Sequence, residues 1–122
     1  MENLIKEAKK QGLKIYQVEK FKSWALISDG VRVVYAQKNI YGLGYDISAK
    51  CRLKDRNANT GSGYQLEENV VNIKKVDFWS LLDIAQRPAN FYNNQAKKTY
   101  KPATLQEIIN DAKKIGWIYK EI

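Results

Sequence analysis

The stretch Ser23-Trp24-Ala25-Leu26-Ile27-Ser28-Asp29-Gly30-Val31-Arg32-Val33-Val34-Tyr35-Ala36-Gln37 (SWALISDGVRVVYAQ) decides the fold. Residues 23–28 and 31–37 are short runs rich in Ile, Val, Tyr and Trp, which suit a pleated, half-buried surface. Asp29-Gly30 lies between them, and an Asp-Gly pair in that position is the strongest short-range signal for a two-residue β-hairpin. Residues 13–18 have the same character, so three consecutive antiparallel strands are expected.

Upstream, residues 2–11 place Leu4, Ile5 and Ala8 on one helical face and lysines on the other. Gly12 follows where a helix commonly ends in a left-handed residue. Downstream, residues 45–54 alternate cleanly. Tyr45, Ile47, Ala49, Cys51 and Leu53 point one way, and Asp46, Ser48, Lys50, Arg52 and Lys54 the other. This pattern predicts one half-buried strand with a basic solvent face. Its partner is expected over residues 64–73, with a bulge at Glu67-Glu68-Asn69, and residues 57–63 form the tip between the two strands.

Residues 76–85 carry apolar side chains at helical spacing, with Asp77 as the N-cap and Pro88 beyond the end. Residues 86–102 show no period and read as a long loop. Thr104 and Glu107 form a capping box that opens a helix to Lys114, with Gly116 as its stop and an edge strand or tail over residues 117–122. The two ends of the chain echo each other as helix, glycine and strand. Trp24, Trp79 and Trp117 fall inside these elements and are expected in the core or half within it. The fold class that follows is α+β: a single domain over residues 1–122, with an antiparallel sheet of about five or six strands packing one face on two or three helices.

Function is bounded first by what the chain lacks. It has no histidine, which removes histidine acid–base chemistry, Ser-His and Cys-His nucleophile pairs and most zinc sites. The carboxylates Asp29, Asp46, Glu67, Glu68 and Asp77 scatter through expected turns and strand ends rather than clustering for a metal. Thr60-Gly61-Ser62-Gly63 lacks the Lys-Ser/Thr pair and following helix of a phosphate-binding loop. A non-catalytic protein without a cofactor or metal is therefore expected. Cys51 has no second cysteine to pair with, and Met1-Glu2-Asn3-Leu4-Ile5-Lys6-Glu7 is charged rather than leader-like, so the expected location is cytoplasmic. No apolar run approaches the roughly 18–20 residues of a membrane span.

The chain holds 21 Lys+Arg against 13 Asp+Glu, a formal net charge of +8, and such a balance favours polyanionic partners. Two segments concentrate it. The expected hairpin stem carries Lys50, Arg52, Lys54 and Arg56. The expected loop carries Arg87, Lys97, Lys98 and Lys101, with Tyr92 and Tyr100 among them. Cations hold a phosphate backbone while rings stack on bases, so these ten residues are the candidate nucleic-acid contacts, for DNA or RNA alike. The alternative is a module that binds a protein, such as a small phage or mobile-element inhibitor of a host system. Lys-, Asn- and Ile-rich usage fits an AT-rich genome of that kind.

Overall fold

The computed structural model describes residues 1–38, 44–48, 51–53, 56–58, 66–69, 76–85, 89–90 and 99–122. The chain opens with helix α1 (Glu2–Lys10), followed by strands β1 (Lys14–Val18), β2 (Phe21–Ser28), β3 (Val33–Lys38) and β4 (Tyr45–Ser48). Short strands β5 (Cys51–Leu53), β6 (Arg56–Ala58) and β7 (Leu66–Asn69) come next, then α2 (Phe78–Ala85), β8 (Ala89–Asn90), β9 (Thr99–Pro102), α3 (Leu105–Lys114) and β10 (Tyr119–Glu121). The main sheet is antiparallel in the order β10-β1-β2-β3-β4-β7, and a small antiparallel ladder has the order β6-β5-β9-β8. The fold is α+β.

Both faces of the main sheet are covered. On one, Ile15, Ala25, Ile27, Val34, Ala36 and Ile47 pack with Leu4 and Ala8 of α1 and with Phe78 and Leu82 of α2. On the other, Leu26 and Val33 pack with Leu105 and Ile108 of α3, joined by Tyr16, Tyr35 and Tyr119. The expectation that one face takes all the helices is corrected here, and β2 and β3 explain why. Ala25-Leu26-Ile27-Ser28 and Val33-Val34 are buried without alternation, the pattern of strands covered on both sides. Ser28 is the polar member of that run. Its hydroxyl donates to the Arg32 carbonyl and accepts from the Gly30 N–H, so its burial leaves neither function unmet.

The β2–β3 connection differs from the expected two-residue turn. Ser28 pairs with Val33, leaving residues 29–32 as the loop. Asp29 causes the difference: its Oδ1 accepts from the N–H groups of Val31 (3.0 Å) and Arg32 (2.8 Å), closing an Asx turn in place of the tight turn. Between β1 and β2 the register slips, with Tyr16 opposite Leu26 but Val18 opposite Phe21. The surplus residues of β2 lift backbone carbonyls out of the ladder, and the buried Gln17 amide donates to two of them, Trp24 at 3.1 Å and Lys22 at 3.4 Å.

The helix ends follow the sequence closely. Asp77 accepts from the Trp79 N–H (3.2 Å) and bonds the Ser80 hydroxyl (2.6 Å), so it caps α2 as expected. The capping box of Thr104 and Glu107 is present. After α1, Leu13 N–H reaches the Ala8 carbonyl and Gly12 N–H that of Lys9, and after α3, Trp117 and Gly116 do the same to Ala112 and Lys113. These are Schellman closures with glycine in the left-handed position, φ 82° and 83°. The two helix–glycine–strand units are neighbours, since β10 pairs with β1, yet their helices lie on opposite faces of the sheet.

The expected strand over residues 45–54 is divided. β4 joins the main sheet beside β3, whereas β5 joins the small ladder. Tyr45 and Ile47 keep their inward positions in the first core. β7 pairs with β4 rather than with the basic half of the stretch, and two extra residues at Glu67-Glu68 separate its register pairs, so the bulge falls where the sequence placed it.

Candidate functional site

The small ladder brings together the two basic segments that lie far apart in the chain. β5 pairs with β6 (Cys51 opposite Ala58, Arg52 opposite Asn57, Leu53 opposite Arg56), so residues 56–58 form a strand rather than part of a tip. On its other side β5 pairs with β9, with Cys51 opposite Pro102 and Arg52 opposite Lys101. β9 then pairs with β8, placing Tyr100 opposite Ala89 and Thr99 opposite Asn90. The supposed loop of residues 86–102 therefore contains two strands.

Asn57, Arg52 and Lys101 consequently form one cross-strand row, while Arg56 and Tyr100 occupy positions of the opposite parity. Like charges at directly opposed positions repel, at a cost of some tenths of a kcal/mol, and a bound anion relieves that repulsion. Among the ten candidates, Arg52, Arg56, Tyr100 and Lys101 are placed in this ladder. Lys50, Lys54, Arg87, Tyr92, Lys97 and Lys98 lie outside the described residues. β9 runs directly into the Thr104 cap of α3, and β6 lies beside that helix, so the ladder is tied to the main body.

Sequence reasoning missed a second feature, an aromatic cluster on the α3 side of the main sheet. The rings of Phe21 and Trp24 stack at 4.4 Å with 17° between planes. Trp117 meets Phe21 edge-on at 4.8 Å and Trp24 at 5.9 Å, and Tyr35 meets Trp24 at 6.2 Å. The slipped β1–β2 register brings Phe21 and Trp24 together, and the α3 closure delivers Trp117 to them. Of the three tryptophans expected in the core or half within it, Trp24 is half-buried, while Trp117 is 36% exposed and Trp79 41%, so neither of the latter two is a core residue. The visible signal was the helix–glycine–Trp117 echo, but it carries no information about which rings meet.

Burial pushes the Tyr35 hydroxyl well above the usual phenol range, helped by its neighbour Tyr119. Burial also raises Tyr119, against a smaller opposing pull from the Trp24 indole. Tyr16 is raised by burial and by its hydrogen bond to Glu121 (3.2 Å). These phenols therefore stay neutral near pH 7.

Several carboxylates are committed to the architecture. Asp29 holds the Arg32 guanidinium at 2.7 Å, and Arg32 also pairs with Asp83 of α2 while lying 5.7 Å from the centre of the Trp79 ring. Gln11 joins α1 to α2, donating to the Val76 carbonyl (2.8 Å) and accepting from the Phe78 N–H (3.2 Å). On α3 the Lys114 ammonium meets Asp111 at 3.6 Å. Among the described residues, no three carboxylate or thiol groups converge on a point that a metal ion would occupy, and no helix is long and apolar enough to cross a membrane.

Compared with protein-family models, curated proteins and solved structures, the chain matches none.

Proposed function

We propose that the protein is a non-catalytic nucleic-acid-binding protein whose contact surface is the β6-β5-β9-β8 ladder. The observation that carries this reading is the register opposition of Arg52 and Lys101, which joins two basic segments 49 positions apart (101 minus 52) into one row. A net charge of +8 supplies the long-range attraction. Lys50, Lys54, Arg56, Arg87, Lys97 and Lys98 add phosphate contacts along the same chain segments, and Tyr92 and Tyr100 add stacking surface.

Fluorescence anisotropy with single-stranded and duplex probes, at low and moderate salt, tests this. Affinity is expected to fall steeply with salt. An Arg52→Ala/Lys101→Ala variant is expected to lessen the slope of log K against log salt by roughly 1.5–2, the share of two phosphate contacts. Absence of binding to either probe at low salt overturns the reading, and a double variant with an unaltered slope removes the ladder as the site. Labelled probes incubated with Mg²⁺ or Mn²⁺ are expected to remain intact, and cleavage overturns the non-catalytic assignment.

A second reading, a protein-binding module, draws on the exposed Ile115, Ile118 and Ile122 around the edge strand β10. Apolar surface beside an unpaired strand edge suits a polypeptide partner.

A further inference from the structure

The aromatic cluster lies outside the ladder, and its surroundings have a definite chemistry. Phe21 is flanked in the chain by Lys20 and Lys22, both exposed. Trp117 is preceded by Lys113 and Lys114 in the last turn of α3 and followed by Lys120. Among the carboxylates, Glu19 is exposed, Asp111 meets Lys114, Glu121 accepts from the Tyr16 hydroxyl, and Asp46 shares the cross-strand row of Trp24 and Gln37. Lys20, Lys22, Lys113 and Lys114 lie in the chain segments that deliver these rings, whereas Lys120 pairs with Gln17 and so faces the α1 side of the sheet.

We propose that this cluster is a stacking site for single-stranded nucleic acid, in which a base lies on Trp117 while Lys20 and Lys22 hold the adjoining phosphates. Phe21 and Trp24 already stand in stacked geometry, and Trp117 is the exposed end of the row. Every base has a π face, so such a platform is tolerant of sequence, but in a duplex those faces are already covered by neighbouring bases. The substrate class is therefore the single strand. The inference rests on the nucleic-acid reading above and adds a second contact to it. Strand β9 leads into the N-terminus of α3 and Trp117 follows its C-terminus. Ten helical residues, roughly 15 Å, separate the ladder from the rings, so one short strand reaches both.

The test uses a Trp79→Phe background, which removes the exposed indole on α2, and titrates the protein with a twelve-residue oligothymidylate and with a duplex of equal length. The single strand is expected to quench tryptophan emission. Trp117→Ala is expected to abolish that quench and weaken single-strand binding by about 5- to 100-fold, with duplex affinity unchanged, while Trp117→Phe keeps most of the affinity. Single-strand binding that raises anisotropy without quenching, or that Trp117→Ala leaves unaltered, overturns the stacking site while leaving the nucleic-acid reading standing. Failure of the parent protein to bind any probe at low salt overturns both. If Trp117→Ala loses its cooperative melting, the Lys20→Ala/Lys22→Ala variant decides instead. It is expected to weaken single-strand binding severalfold with unaltered circular dichroism, and unaltered affinity overturns the site.

Discussion

Asp29 shows how one side chain redirects a local signal. Beside Gly30 it reads as a tight turn, yet its carboxylate organises four residues and holds Arg32, which in turn reaches Asp83 and Trp79. Burial pushes the Asp29 carboxyl up, but the hydrogen bonds from Val31 and Arg32 outweigh it and hold the carboxyl below its usual range. A carboxyl depressed on folding adds stability that is present above its unfolded value near 3.9 and is lost as pH falls through its lower folded value. Asp29→Asn keeps an oxygen for the two backbone N–H groups but removes the charge. The variant is expected to be less stable than the parent at pH 7 and to show a shallower loss of stability below pH 4. Urea denaturation at several pH values measures it, and parallel acid profiles would show that the charge does not matter.

At the scale of elements, the Schellman closures end α1 and α3 because glycine alone adopts φ near +82° at little cost. An added Cβ at Gly12 or Gly116 meets nothing within 4 Å, so strain in the backbone is the whole effect of a substitution. Gly116→Ala is expected to cost about 1–2 kcal/mol, with Gly116→Asn milder because Asn tolerates the left-handed region. Chemical denaturation of the two variants checks the order. Equal stability of Gly116→Ala and the parent would mean that α3 frays there without consequence for the β10 edge. The division of residues 45–54 belongs to this scale too. Period-two alternation tells which residues share a face of an extended segment, and Tyr45 and Ile47 do face the core. Alternation cannot tell whether consecutive segments stay in one sheet, and β4 and β5 do not.

Across the whole molecule, one sheet separates two cores, each closed by different helices. Ile47 belongs to the first and Ile108 to the second, both nearly inaccessible to solvent. Ile47→Val and Ile108→Val are each expected to cost about 0.5–1.5 kcal/mol, and the double variant their sum within about 0.5 kcal/mol, since groups on opposite faces share no cavity. Thermal or urea unfolding of the three proteins tests this, and a coupling well above that margin would show that the sheet transmits packing strain between its faces.

What the sequence determined by itself was local. The helices, their caps at Asp77 and Thr104, the glycine stops, the strand character of residues 13–37 and the bulge at Glu67-Glu68 all follow from propensity, periodicity and hydrogen-bond chemistry within a few residues. The tertiary structure decided three things that depend on contacts between distant segments: the use of both sheet faces, the meeting of Phe21 and Trp24 with Trp117, and the opposition of Arg52 to Lys101. The physical reason is that strand pairing and helix docking are selected by the burial available over the whole chain. A short stretch states only that it has an apolar face, not which surface will cover it.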